Sequence, residues 1–377
     1  MNHFENIHTN QEAIKSSDRL KATMEGLNLK LTEDQFVVEN KLLGSEGKEA
    51  IKSPEVFNDY FESKGFEIRE PLGIVNNKVK TLFTVSGVQL IDPVIHDGED
   101  IPEKFFIAQP VLRTQFLPTV SEGSLTSFNN ISTVMVNRGY EEHVDAIKLW
   151  LNMLKEMGFE EDDISVNVSK NKNRWGEKEF INEVISVLYK GIEMGEASFV
   201  DSMPQNTREP LNISDIGFGL ERMNYALTGK TFNNEKEDPL PVDIIDCSRT
   251  LALLIGSGVI PSNKAQGYRV RLFSKNFVSK NLEYGVNPRD LLENSYREWA
   301  KWTNLPISKE DFLEKAMKEY DRNFNREILD GLQGAGHDIE VDINQSVDAF
   351  FAQIKNSGFN DLSLLKKIYD KYPKQGK

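Results

Sequence analysis

Two hydrophobic periods divide this chain. Between about residues 50 and 228, short β-rich runs alternate with helical stripes, whereas beyond about 242 only helical spacing is found. Ser53-Pro54-Glu55 offers a cap, a first-turn proline and an early acid. Val56, Phe57, Tyr60 and Phe61 follow on one helical face, and Gly65 stops the helix. Residues 80–86, 105–109 and 130–136 are short, β-rich and bounded by Gly, Pro or Asn, so three strands are expected there. The middle strand is expected to continue through Pro110 to Phe116. Val144, Ile147, Leu151 and Leu154 predict a helix over 140–157, and residues 164–168 predict a strand. Asn173-Arg174-Trp175-Gly176 is expected to form a loop, with strands at 183–189 and 196–201.

In Ser214-Asp215-Ile216-Gly217-Phe218-Gly219-Leu220-Glu221-Arg222-Met223, two glycines one residue apart predict a tight turn. Leu220, Met223, Asn224 and Leu227 fall at helical spacing, so the turn is expected to feed a helix N-terminus, which suits an anion. Arg222 then supplies a guanidinium and Asp215 a carboxylate for a neighbouring cationic group. An ordinary strand-to-helix turn with a surface arginine accounts for the same stretch equally well. Arg113, flanked by apolar residues, projects either from a sheet face into a pocket or from an edge strand into solvent. Trp175 is either pocket wall or plain core.

The resulting organisation is α+β. An N-terminal extension (1–50) carries one short helix or strand. An antiparallel sheet with flanking helices occupies 51–228, and a polar linker with Pro239 and Pro241 spans 229–241. A helical bundle is expected over 242–377. The net charge of -14 argues against a generally basic nucleic-acid surface. Residues 267–280, with Arg269, Arg271, Lys275 and Lys280 and no acid, are the local exception: a phosphate-backbone contact or a solvated helix face. Cys247 is the only cysteine, which excludes an internal disulfide and a Cys-rich metal site and fits a reducing compartment. Residues 1–25 lack an apolar signal core, and no apolar run approaches the length of a membrane span, so a cytoplasmic location is expected.

Three segments resemble a class II aminoacyl-tRNA synthetase of the alanyl type. Glu55–Ile68 resembles the family's first helix. Asp215–Arg222 is similar to its Asp-x-Gly-x-Gly-Leu-Glu-Arg motif. Gly258-Val259-Ile260-Pro261-Ser262-Asn263, with Gly267-Tyr268 after it and Asp246 and Arg249 before it, resembles a segment particular to alanyl enzymes. The resemblance covers about residue 50 onward. It implies a class II catalytic sheet followed by an all-helical domain that reads the tRNA acceptor stem.

By this resemblance Arg113 grips the α-phosphate of ATP and the attacked carboxylate, and Arg222 holds the γ-phosphate with Glu221 beside it. Gln115, Met135 and Gly219 complete the ATP site, and Mg²⁺ bridges the phosphates through few protein ligands. No dedicated metal site is expected. Asp215 pairs with the substrate ammonium, and Trp175, Gly217, Glu196 and Ser198 line the amino-acid pocket. Asn263 and Asp370 fall on the readers of a G·U pair, with Arg271 and Lys275 on the tRNA backbone. The chain stops seven residues after Asp370, which implies a monomer without the editing and oligomerising segments of a full alanyl enzyme.

The departures are specific. Ser132-Thr133-Val134-Met135 stands where the family has Phe-Phe-Glu-Met, so the aromatic that stacks on adenine is missing. Gln115 replaces a glutamate, Glu196 an asparagine and Ser198 a valine, and a Cys-Pro-rich loop before Glu183 is absent. The expected activity is ATP-dependent activation of a small amino acid, alanine or a related one, and transfer to an alanine-type tRNA. Transfer to a carrier protein or small molecule, and a catalytically silent binding paralogue, are the alternatives.

Overall fold

The computed structural model describes residues 5–32, 48–76, 79, 81–99, 103–205, 209–232, 240–359 and 361. Two compact units are present, Met1–Lys236 and Glu237–Lys377. In chain order the first unit contains β1 (Glu5–Thr9), α1 (Gln11–Lys15), α2 (Asp18–Gly26), α3 (Glu55–Ser63), β2 (Glu67–Arg69), α4 (Asp92–Asp97), β3 (Lys104–Leu112) and β4 (Ser127–Val136). There follow α5 (Tyr140–Glu156), β5 (Ile164–Trp175), β6 (Lys178–Tyr189), β7 (Ile192–Met203), β8 (Leu211–Gly219) and α6 (Leu220–Thr228). The strands form one sheet in the order β1-β5-β6-β7-β8-β4-β3-β2. It is antiparallel except where β2 pairs with β3. The expected α+β class and antiparallel sheet are therefore present.

Side-chain alternation gives the sheet two unlike faces. On one face Phe106 and Phe218 meet α3 and α5: Phe61 stacks on Phe106 with ring centroids 4.9 Å apart, and Trp150 stacks on Phe218 at 4.5 Å. Trp150 also donates from its indole N–H to Thr133 Oγ1 at 2.8 Å, so the buried ring keeps its polar partner. On the other face Phe105, Ile107, Val134, Val200 and Ile213 pack with Ile91, Val94 and Ile95. That core covers only one end of the face, and the remainder opens as a cavity.

Residues 5–32 belong to the sheet unit. β1 pairs with β5, and Arg19 bridges Glu183 at 2.8 Å and Asp201 at 2.5 Å. Its guanidinium also lies over the rings of Tyr140 and Phe199.

Several local expectations are corrected. Residues 81–86 form no strand, because the Gln89 carboxamide accepts from the backbone N–H groups of Val85 and Ser86 and starts a 3-10 turn over Gly87–Ile91. β3 ends at Leu112, and Thr114–Thr119 is a 3-10 turn containing Pro118. Asn173–Trp175 lies in β5 rather than a loop, and the chain turns at Gly176, whose φ is +63°. Val56 is 47% exposed, leaving Phe57 and Phe61 as the buried anchors of α3. The Asp215–Gly219 stretch is extended strand and enters α6 without a turn.

The second unit is helical among the described residues: α7 (Val242–Gly256), α8 (Ala265–Tyr284), α9 (Pro288–Trp299), α10 (Lys309–Gly334) and α11 (Val347–Asn356). Trp299 donates to the Arg249 carbonyl at 2.8 Å, and the Arg249 guanidinium lies 4.5 Å from the Trp299 ring centroid. A β-carbon on Gly267 would strike Ser262 Oγ and the Ile260 carbonyl. Glycine there lets the Ile260–Ser262 loop lie directly on the first turn of α8.

Phe61→Ala removes a ring that is fully buried against Phe106 and Trp150. Chemical denaturation is expected to show a loss of about 3–5 kcal/mol in the sheet unit.

Candidate functional site

The cavity is lined from β4, β7, β8 and α6, with Ser86, Arg113 and Gly123 contributed by the adjoining loops. It brings together Arg113, Glu196, Ser198, Asp215, Gly217, Gly219, Glu221 and Arg222. Their convergence follows from register. Glu196 pairs with Gly217 and Ser198 with Asp215 across β7–β8, while Ser132 pairs with Gly217 and Asn130 with Gly219 across β4–β8. Period-2 alternation then puts Glu196, Ser198, Asp215, Gly217 and Gly219 on one face. Gly217 is needed for space, since a β-carbon there would sit 2.9 Å from Ser132 Oγ and 3.0 Å from Asn130 Nδ2.

Each arginine is anchored by its Nε to a main-chain carbonyl. Arg113 donates to Val85 O at 3.0 Å and lies 5.1 Å from the Phe128 ring centroid. Arg222 donates to Gly123 O at 2.8 Å and stands 3.9 Å from the Glu193 carboxylate. Glu221 is engaged elsewhere, its carboxylate accepting from the Asn129 backbone N–H at 2.9 Å and side-chain amide at 3.2 Å. It ties α6 to β4 from a buried position.

Crowding of so many charges in one cavity, with Glu196 still exposed and Arg113, Glu193, Asp215 and Arg222 half-buried, moves their protonation. Desolvation pushes Asp215 up to about 7, with the Glu196 carboxylate adding to the shift and Arg113 opposing it. Glu193 and Glu196 are raised chiefly by desolvation, and Arg113 and Arg222 are lowered by it. Asp215 Oδ1 is buried with no hydrogen-bond partner among the described residues, so a cationic donor is the missing complement. Behind the strand, His143 Nδ1 meets Ser214 Oγ at 2.7 Å, and burial lowers this histidine to about 3, keeping it neutral.

Three expected site residues are not in the cavity. Trp175 donates to Asp92 Oδ1 at 2.7 Å and packs on the core beside α4. Gln115 is exposed on the 3-10 turn after β3. Met135 is buried on the opposite parity of β4 from Asn130 and Ser132. Phe128, Asn130 and Glu193 line the cavity instead. Phe128 and Asn130 share the parity of Ser132, which was the available sequence signal, so an aromatic does face the cavity four residues before the position where one is missing. In the second unit Asn263 and Lys275 are exposed, and Arg271 donates to Asn263. Asp370 lies outside the described residues.

Among the described residues, no three His, Cys, Asp or Glu side chains are grouped to hold a metal ion. No described helix is long and apolar enough to cross a membrane.

No protein-family model matches the chain. Alanine–tRNA ligase of Streptococcus pyogenes serotype M4 (strain MGAS10750) is 29% identical over 171 residues. This match takes in 42% of the present chain and 17% of that protein. The alanine–tRNA ligase of serotype M5 (strain Manfredo) is 28% identical over the same length, with the same coverage. Over the matched stretch the chain is alanyl-tRNA synthetase-like. It is thereby related to the aminoacyl-tRNA ligases, and the matched stretch spans about a sixth of their length. Two solved structures of pyrrolysyl-tRNA synthetase from Desulfitobacterium hafniense are also similar, with TM-scores of 0.34 and 0.33 at 12% and 14% identity. Each match covers 50% of this chain and 73% of that one.

An acid whose folded pKa lies above its unfolded value loses its stabilising proton as pH rises between the two. For Asp215 that window runs from about 4 in the unfolded chain to about 7 in the fold. Asp215→Asn is therefore expected to raise the melting temperature at about pH 8, and the gain should vanish near pH 4.

Proposed function

We propose that the cavity activates a small amino acid as its adenylate, with ATP as the second substrate, and that the chain passes the aminoacyl group to an alanine-type tRNA. The observation that carries this reading is the convergence of two anchored guanidinium groups with an acceptor-lacking-donor at Asp215 Oδ1. An amino acid is held by a carboxylate at its ammonium, and a polyphosphate by fixed cations. Arg113 and Arg222 would stabilise charge that develops as carboxylate attacks phosphorus, so catalysis is mainly positioning and electrostatics. Phe128, beneath Arg113, offers a ring face to the purine. Mg²⁺ would enter with the phosphates, since no group of three metal-ligating side chains is found among the described residues.

Around Asp215 the lining is polar. Ser198 accepts from Asn182 Nδ2 at 2.7 Å, so its own hydrogen is left to donate to a ligand or to Asp215. With Glu196 beside it, this lining favours a small amino acid that carries, or tolerates, a polar side chain. On the tRNA side, exposed Asn263 with Arg271 and Lys275 on α8 would contact the acceptor stem, whose G·U pair presents a guanine amino donor in the minor groove. The chemistry of activation is the same for a carrier-protein acceptor, and the acceptor is what the tRNA experiment below decides.

Arg113→Ala and Arg222→Ala should each slow ATP–pyrophosphate exchange about 10²–10³-fold with the best amino acid of a panel. Near-normal exchange in both variants would place the chemistry elsewhere. Asn263→Ala should leave exchange intact and reduce tRNA charging, by about 1–3 kcal/mol of discrimination between acceptor stems with G·U and G·C. Equal charging of the two stems by the unmodified protein would exclude the assigned acceptor.

A further inference from the structure

Asn130 occupies a position for which the resemblance supplies no role. It lies on β4 between Phe128 and Ser132, is only 6% exposed, and lines the cavity. Its amide oxygen is fully engaged. It accepts from the Gly87 backbone N–H at 2.8 Å, from the Ser132 hydroxyl at 3.0 Å and from the Ser86 hydroxyl at 3.3 Å. A backbone N–H can only donate, so the atom facing Gly87 is the oxygen and the amide has a single orientation. Nδ2 is thereby directed away from Gly87. It lies 3.0 Å from where a β-carbon on Gly217 would be, and it donates to nothing among the described residues. A glycine at 217 is what leaves room beside this donor.

We infer that Asn130 Nδ2 binds a carboxylate oxygen of the amino-acid substrate; the inference rests on the amino-acid-activating reading of the cavity. The order of groups along the sheet supports it. Asp215 is opposite Val134, where the apolar core of Val134, Val200 and Ile213 closes the inner end. Arg113 follows the end of β3, with its guanidinium above Phe128. Asn130 stands between these two ends, opposite Gly219. An α-amino acid whose ammonium meets Asp215 carries its carboxylate one carbon away, toward the arginine. The donor met on that path is Asn130 Nδ2. One carboxylate oxygen held there leaves the other oriented toward the phosphate that Arg113 would grip, a fixed geometry of the kind that lowers the entropic barrier to attack.

Asn130→Asp tests this. It preserves size and the acceptor for Gly87, Ser86 and Ser132, and replaces only the donor, by an oxygen that repels a carboxylate. Calorimetry without ATP, at about pH 8, compares two ligands: the amino acid that the unmodified protein binds best from a panel of small ones, and its amino alcohol. The alcohol keeps the ammonium and side chain and carries CH₂OH instead of the carboxylate. The expected result is a loss of at least about tenfold for the amino acid and a change within about twofold for the alcohol. Equal weakening of both ligands, or of neither, overturns the assignment, because a purely structural asparagine or one that reads the side chain would not separate them. Should Asn130→Asp fail to fold, Asn130→Ser, which removes Nδ2 without adding charge, must give the same selective loss. Pyrophosphate exchange by the unmodified protein is measured alongside. Amino-acid binding without exchange overturns the activation reading and leaves Asn130 to be judged by the two affinities. Binding of no amino acid overturns both.

Discussion

Crowding of two half-buried guanidinium groups and several carboxylates on one sheet face is the constraint around which the first unit is arranged. Each charge loses hydration there, and mutual attraction compensates only when geometry is fixed. The fold fixes it through the backbone. Arg113 is anchored on Val85 O and Arg222 on Gly123 O, so both loops beside the cavity are set by the arginines they hold. The Gly123 loop is fastened a second time, since its N–H donates to Thr231 Oγ1 at 2.8 Å. A left-handed φ of +69° and the nearby Tyr225 ring leave no room there for a β-carbon. The charged cavity and its walls are therefore one device.

The opposite face of the same strands makes that arrangement rigid. Ile216 and Phe218 of β8 point away from the cavity, and the Phe218 ring lies under Trp150. Each apolar residue on the back fixes the height of its polar neighbour on the front, because the strand cannot shift by one residue without exchanging the faces. Asp215 is held between Ser214, which meets neutral His143, and Ile216, which is fully packed.

The sequence made the charged motif and the helical second unit legible because both depend on local spacing. Leu220, Met223 and Leu227 mark α6 directly, and Arg222 follows from them. The meaning of Gly217 and Gly219 was not local. Paired glycines read as a turn, but here they are strand residues, and the missing side chain of Gly217 admits Ser132 and Asn130 from the neighbouring strand. Trp175 is decided by Asp92, which is distant in sequence and has no pattern that links it to the hairpin tip. Met135 was placed by motif order, whereas strand parity sends it to the helix-covered face and brings Phe128 and Asn130 forward. Residues 81–86 have strand composition, yet the Gln89 side chain takes the N–H groups that a ladder would need.

The charge set also implies that the two substrates of the proposed reaction are coupled. Arg113 and Arg222 oppose the upward shift of Glu193 and Glu196. A polyphosphate drawn to the arginines competes for that stabilisation, and the two glutamates are then left with partial desolvation and their mutual repulsion, both of which favour the protonated form. Removing Glu196's charge in turn lessens the repulsion on Asp215, whose own pKa is raised in part by that neighbour. Arg113 also holds the Asp215 carboxyl down, so an anion that takes up Arg113 removes that support, and it is the substrate ammonium that favours the ionised Asp215. The two ligands of the proposed reaction thus act on one shared set of charges, and by linkage an effect of one on the other runs equally in the other direction.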